Sequence, residues 1–323
     1  MIISNLSLEE EFYSKPYLFS YSGLNKLLYA PKLFYNHYIL KKREDKLEAH
    51  LVDGKLTHCL LLDEKSFHDQ FVVSPESLPS KNTRKVIDKL HRRVSQNIYD
   101  MTRPLDDLQE GILEILDEVG LHSKVLDKKK RLSKVINDES KAYFLYLRLR
   151  EDREIIDSKA LERARRISGL VSNDPEVKNL LSAEKQENEK YLSSPIEGRP
   201  FGIKGIVDNL SLYPKDKRAI VNDFKNTAKS LDSFRETVEN IKYWMQAAIY
   251  RRLVRALLGP DWTIEFNFIV IDGNEQVYPF SVSEETLLSW DIRLEDVLNK
   301  AQYHYEKRRY DKPYEFIVNK VTL

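Results

Sequence analysis

Cysteine occurs once in the 323 residues, at Cys59. A lone thiol excludes an internal disulfide, an iron–sulfur cluster and any zinc site built on several thiolates. Long apolar runs are missing too. No stretch reaches the about 18 uncharged apolar residues that a membrane-spanning helix needs. The N-terminal Met1-Ile2-Ile3-Ser4-Asn5-Leu6 lacks a basic segment followed by a long apolar run and a small-residue cleavage site. A soluble, cytoplasmic protein with no membrane partner is therefore expected. Neither sign of charge is in excess, because 52 Lys and Arg stand against 51 Asp and Glu. Global charge thus does not advertise a nucleic-acid partner, and any such binding must rest on local basic patches. Internal repeats and low-complexity segments are absent beyond short charged runs.

The length suits one large domain or two modest ones, with room for a sizeable core. Up to about residue 181 the pattern is mostly helical. In Ser22-Gly23-Leu24-Asn25-Lys26-Leu27-Leu28-Tyr29 the apolar residues recur at helical spacing. Ala30-Pro31 interrupts, and Phe34, Tyr35 and Tyr38 resume, which predicts two short helices. Further amphipathic stretches cover 51–62, which carries His58, and 84–98, 105–119, 140–149 and 158–171. From residue 182 to 323 the period changes. Lys190-Tyr191-Leu192 and residues 201–208 flank a Pro195…Gly198…Pro200 turn region and predict an antiparallel hairpin. Residues 218–225 read as a third strand, and 263–271 and 276–283 as two more around Asp272-Gly273-Asn274. Between them lies a helix that opens on the capping-box spacing of Ser233 and Glu236 and stops at Gly259-Pro260. A charged final helix is expected from about 284 to 309. The fold class is α/β in the α+β sense, a mixed central sheet flanked by helices, and we read residues 1–323 as a single domain.

Asp223-Phe224-Lys225 falls on a predicted strand, where side chains alternate, so Asp223 and Lys225 share a face and Phe224 takes the other. Asp208 ends the preceding strand and brings a second carboxylate if the strands are neighbours. Paired carboxylates suit a hard, oxygen-preferring cation such as Mg²⁺ or Mn²⁺. A lysine beside them can orient or deprotonate a water that attacks a phosphodiester. An isolated Asp-x-Lys triplet equally fits a surface ion pair, but here both acids end apolar strands. Gln246 and Tyr250, four apart, share a helical face and can reach a DNA backbone; the same strip, with Tyr243, Leu253 and Leu257, also fits a packing face. His58 lies on an apolar helix, where a satisfied core histidine is the alternative to a ligand.

Taken in order, these residues resemble the PD-(D/E)XK nuclease superfamily, and within it the RecB-like and RecE-like exonucleases of phages and prophages. Ser22-x-Leu24…Pro31-x-x-Phe34 looks like the N-terminal helical motif, Gly54-x-x-x-His58 like the metal-binding histidine motif, Asp208 with Asp223-Phe224-Lys225 like the catalytic core, and Gln246-x-x-x-Tyr250 like the Gln-Tyr motif. The resemblance covers about residues 20–250 with a divergent helical insert at about 71–181. It implies a restriction-endonuclease-like core and a Mg²⁺ ion, with Mn²⁺ as substitute. The implied ligands are His58, Asp208, Asp223 and the Phe224 carbonyl, with Lys225 as the catalytic lysine. An acid on the strand before Asp208 often joins such a site, and Glu189 is the choice here, with Glu187 close behind. Val207-Asp208 stands in place of Pro-Asp. Relatives with an iron–sulfur cluster need four cysteines and are excluded.

The implied substrate is DNA, as double-stranded ends, with a single-strand annealing protein as a partner and a homo-oligomer as a form such enzymes take. A phage-encoded enzyme would work in the bacterial host cytoplasm. Basic clusters that could hold phosphate are Lys41-Lys42-Arg43, Lys128-Lys129-Lys130-Arg131, Lys307-Arg308-Arg309, and above all Arg251, Arg252 and Arg255, which follow Tyr250 on one helix. A solvated helix face is the alternative for each. Endonuclease action on the same fold, or DNA binding without cleavage, are the competing functions.

Overall fold

The structure, a computed structural model, describes residues 7–42, 49–96 and 102–319. The chain divides into two compact units, Met1–Leu47 with Ile167–Leu323, and Glu48–Arg166.

The first unit begins with α1 (Leu8–Tyr13), held by a reciprocal cap: Glu10 N donates to Ser7 Oγ at 3.2 Å and Ser7 N donates to Glu10 Oε2 at 2.8 Å. After β1 (Leu18–Phe19) comes α2 (Tyr21–Tyr29), whose first turn is capped by Ser20. Ala30 leaves the helical region, and Pro31 opens the short helix Pro31–Phe34, where its missing N–H costs nothing. The two short helices expected from the sequence are therefore present.

The second unit contains α3 (Ala49–Leu62), β2 (Phe71–Val73), α4 (Lys81–Val94), α5 (Gln109–Glu118), α6 (Asp138–Leu149) and β3 (Glu154–Ile156). The next helix, α7 (Ser158–Asn173), carries the division between the units. The core of the second unit is made by residues at helical spacing: Val86, Ile87, Leu90 and Val94 of α4 meet Ile112, Ile115 and Leu116 of α5 and Phe144 and Leu147 of α6. A second cluster joins Leu56 and Cys59 of α3 to Phe67, Phe71, Ile156 and Ala160. Strands β2 and β3 pair in parallel and were not expected, since three residues are too few to show alternation. Ile98 and Arg43, which fall in stretches singled out by sequence, lie outside the described residues.

The sheet of the first unit uses β4 (Lys185–Pro195), β5 (Gly202–Tyr213), β6 (Arg218–Asn226), β7 (Thr263–Ile271) and β8 (Val277–Val282), as well as β1. Strand β4 runs antiparallel along one edge of β5, as the hairpin pattern led us to expect. The other edge of β5 is shared. Residues 202–203 pair in parallel with β1, and residues 209–213 pair antiparallel with β6. Between them, residues 204–208 have no strand partner on that edge among the described residues. Strand β6 then pairs in parallel with β7, which makes the sheet mixed.

The crossover from β6 to β7 is α8 (Phe234–Asn240) followed by α9 (Tyr243–Leu258). A single capped helix was expected here, and the structure corrects that. Ser233 closes a turn in the helical region and makes no side-chain cap bond, while Lys242 enters the left-handed region at φ +64° and separates the two helices. Helix α9 is buried almost all round, against the sheet on one side and against α10 (Glu284–Lys307) on the other. Small Ala247 and Ala248 let it approach closely. Phe19, Phe34, Phe201, Phe266 and Phe268 are fully buried in this core, each worth about 1.5–3 kcal/mol of apolar burial.

Candidate active site

The site forms where the pairing of β5 with β6 stops. Asn209 and Asn222 are the last couple in that ladder, and Asp208 and Asp223 occupy the next register position. On the other edge of β5, Glu189 stands opposite Asp208, between the couples Asn188–Asn209 and Lys190–Val207. Three acids on three neighbouring strands thus lie in one row. Carboxylate oxygens of Glu189 and Asp208 come within 4.8 Å of each other. Like charges at directly opposed cross-strand positions repel.

The row carries further costs. Glu189 holds φ +48°, a left-handed conformation that disfavours any residue with a Cβ by roughly 1–2 kcal/mol. Asp208 is 7% exposed and Asp223 is fully buried. With no backbone partner at this point, Phe224 N donates instead to Asp208 Oδ2 at 2.8 Å, which ties the carboxylate to β6. Neither oxygen of Asp223 accepts a hydrogen bond of good geometry. Its partner is the ammonium of Lys225, which sits against it as an ion pair. Lys225 Nζ also lies 3.4 Å from the Phe224 carbonyl and 4.7 Å from the centre of the Tyr243 ring. Burial opposes the charge on Lys225, but Asp223 and Asp208 outweigh it and its pKa is raised. The Phe224 side chain is buried on the opposite face, as alternation requires.

Gln246 Nε2 donates to Tyr250 Oη at 2.9 Å, so the two residues form a unit on α9. Burial, then the negative charge of Asp223 and Asp208, pushes the Tyr250 phenol well above its ordinary pKa. Gly205 lets the Tyr250 ring approach β5: a Cβ there would stand 2.5 Å from Tyr250 Cε1. Glu187 is tied to Lys185 and Lys190, the latter at 2.6 Å, whereas Glu189 lies by Asp208. His58 projects half-buried from α3 in the other unit.

The arginines after Tyr250 lie elsewhere. Arg251 is 3% exposed and ion-paired with Asp291, at 2.6 Å, and with Glu284, while Arg252 reaches Asp291 and Glu295. Steps of about 100° and 200° around the helix turn them away from Tyr250. Their guanidinium groups bind α10 to α9, which corrects the expectation that they present charge to phosphate. Arg255 donates to Pro260 O at 3.4 Å near the end of α9.

A second row escaped the reading by sequence. Asn209 Nδ2 donates to Asn188 Oδ1 at 2.8 Å, Asn222 Nδ2 to Asn209 Oδ1 at 2.8 Å, and Asn267 Nδ2 to Asn222 Oδ1 at 3.0 Å. Ser211 Oγ adds a bond to Asn209 Oδ1 at 3.0 Å. This chain of amides crosses β4, β5, β6 and β7 one residue away from the acids. A signal for it exists: each of the three strands carries an acid next to an asparagine, as Asn188-Glu189, Asp208-Asn209 and Asn222-Asp223.

Comparison with known proteins matches residues 18–312 to the family model of the PD-(D/E)XK nuclease superfamily. The chain belongs to that superfamily. Among solved structures, one described as a "Putative exonuclease" from Eubacterium rectale shares 13% identity over 93% of this chain and 85% of its own, with a TM-score of 0.47. The structure of SSO0001 shares 13% identity over 84% of this chain and 97% of its own, with a TM-score of 0.24. No curated protein matches. Membership of the PD-(D/E)XK superfamily implies metal-dependent hydrolysis of nucleic acid, and superfamily members use divalent cations. The donor set fits such a cation: hard carboxylate oxygens in a row, two of them on Asp223, buried beside the Lys225 ammonium with no hydrogen bond of good geometry. No described helix is long and apolar enough to cross a membrane.

Proposed function

We propose that this PD-(D/E)XK protein is a Mg²⁺-dependent DNA exonuclease of the RecB/RecE-like type. It hydrolyses phosphodiester bonds at double-stranded ends in phage-type recombination or DNA processing. The observation that carries the reading is the row Glu189, Asp208 and Asp223 with Lys225 against it: clustered, partly strained, like-charged groups beside one ammonium suit a cation site better than any structural purpose. Glu189, Asp208, Asp223 and the Phe224 carbonyl would hold the ion, and His58 joins them on the strength of its Gly54-x-x-x-His58 motif. When bound, the cation supplies Lewis acidity that stabilises charge on the phosphate and makes an attacking water more acidic. Lys225 orients that water, and the Gln246–Tyr250 pair positions the DNA backbone. A single-strand annealing protein is the natural user of the product strand, in the bacterial cytoplasm.

Linear, nicked circular and closed circular duplexes incubated with Mg²⁺, Mn²⁺ or EDTA test the proposal. Loss of the linear form alone, requiring metal and abolished by Asp223→Asn or Lys225→Ala, is expected. Equal attack on closed circles would make it an endonuclease, and cleavage that survives both substitutions would remove this site.

A further inference from the structure

Tyr243 belongs neither to the carboxylate row nor to the Gln246–Tyr250 pair, yet its ring centre lies 4.7 Å from Lys225 Nζ. The ring is itself fixed by aromatic neighbours, with Phe268 at 6.2 Å, Phe234 at 6.3 Å and Tyr21 at 6.4 Å between centroids. Tyr21 is anchored in turn, its hydroxyl donating to Ile241 O at 2.6 Å. A lysine side chain has four rotatable bonds and a mobile ammonium, and fixing it needs contacts on more than one side. In the structure Lys225 has three: the carboxylate of Asp223, the Phe224 carbonyl at 3.4 Å and the face of Tyr243.

These contacts differ in what disturbs them, since the Phe224 carbonyl, like Asp223, is a proposed cation ligand and the ring is not. Asp223 is also a proposed cation ligand, and a carboxylate shared with a cation attracts a neighbouring ammonium less. The ring's quadrupole attracts the ammonium whatever else Asp223 binds. We propose that Tyr243 is a positioning residue that holds the Lys225 ammonium over the site when Asp223 is engaged elsewhere. This rests on the reading of Lys225 as the active-site lysine. Its role is to keep Nζ at one place through the reaction cycle, without itself touching substrate.

The test separates ring electrostatics from ring shape. Single-turnover cleavage is measured for Tyr243→Leu, Tyr243→Phe and proteins carrying mono-, di- and trifluorinated phenylalanine at 243. The expected loss in Tyr243→Leu is roughly 2- to 30-fold, the rate equivalent of ~0.5–2 kcal/mol of cation–ring attraction. Tyr243→Phe restores most of that loss, and fluorination lowers the rate stepwise while melting temperature and DNA affinity stay constant. A role confined to packing would leave the fluorinated series flat, and that result overturns the proposal. A second readout needs no cleavage. In protein labelled with ¹³C at lysine Cε, the Lys225 methylene protons should be shifted upfield by the ring current, and the shift should vanish in Tyr243→Leu. An unshifted Lys225 signal refutes the contact. Absence of cleavage by the unaltered protein, with the shift present, refutes the nuclease reading and leaves the contact standing.

Discussion

Replacing Asn222 by leucine cuts the row of asparagines at its middle. Asn222 is fully buried, gives one hydrogen bond to Asn209 Oδ1 and receives one from Asn267 Nδ2. Leucine has nearly the same shape, so little cavity forms and the effect is polar. Asn267 Nδ2 is left without its acceptor in a buried site, which costs ~1–3 kcal/mol. Asn209 Oδ1 keeps its bond from Ser211 Oγ and so loses less, ~0.5–1 kcal/mol. Together these place Asn222→Leu about 1.5–4 kcal/mol below the unaltered protein. The assay is urea unfolding followed by tryptophan fluorescence. All three tryptophans, Trp244, Trp262 and Trp290, lie in the unit that carries the sheet, so the signal reports that unit alone. A lower midpoint with an unchanged slope is expected. The double variant with Asn267→Leu orphans no donor at that position and should be less destabilised than the sum of its parts. A loss below about 1 kcal/mol, or strict additivity, refutes the idea that the amide row supports the sheet.

Gly205→Ala places a methyl 2.5 Å from the Tyr250 ring and should cost about 1–3 kcal/mol as overpacking. It should also slow DNA cleavage, and Gly205→Ala with Tyr250→Leu should recover the stability while Tyr250→Leu alone gains nothing. Mg²⁺ or Ca²⁺ at a hundred times its dissociation constant should stabilise the sheet-bearing unit by about 2.7 kcal/mol, seen as a rise in its melting temperature. In Asp223→Asn the rise should be largely lost; an equal rise would place the cation elsewhere. The helical unit should be acid-sensitive through His91, which is buried with Nε2 unpartnered and whose pKa burial lowers below 6.5. Because the unfolded chain then binds the proton better, stability falls as pH drops through 6.5, and circular dichroism of His91→Leu should show a flatter profile between pH 7 and 5.

That Asp223 and Lys225 share a face could be read from the sequence because strand alternation is a local rule: apolar residues at 219 and 221 imply which way 223 and 225 point. Gln246 and Tyr250 could be paired for the same reason, through the four-residue repeat of a helix. What was not legible depends on which strands are neighbours. Arg251 and Arg252 look like a basic patch until α10 is seen to bring Glu284, Asp291 and Glu295 to them. The break at Lys242 is invisible because left-handed backbone at a lysine leaves no composition signal. Strand β1, two residues long, carries no period, although it pairs with the start of β5 on the edge that β6 occupies further along. The asparagine row was within reach. The order Asn-acid, acid-Asn, Asn-acid on successive strands is what antiparallel neighbours in register must show, so the register of β4, β5 and β6 is written in those three dipeptides.

The two rows divide labour over a single step along the strands. Charged groups placed opposite one another weaken a sheet, and one of these acids also holds a strained backbone. An adjacent row of neutral amides, linked from Asn267 through Asn222 and Asn209 to Asn188, pulls in the other direction and keeps the four strands aligned at the place where the acids push them apart. The gap in pairing on the β6 side of residues 204–208, among the described residues, completes the arrangement, since it frees Asp208 to bond Phe224 N through its side chain rather than its backbone. It follows that substitutions in the two rows should act with opposite sign on the metal-free protein. Neutralising Glu189 relieves its repulsion with Asp208 and sacrifices cation binding, whereas breaking the amides lowers stability and reaches the chemistry only through misaligned carboxylates.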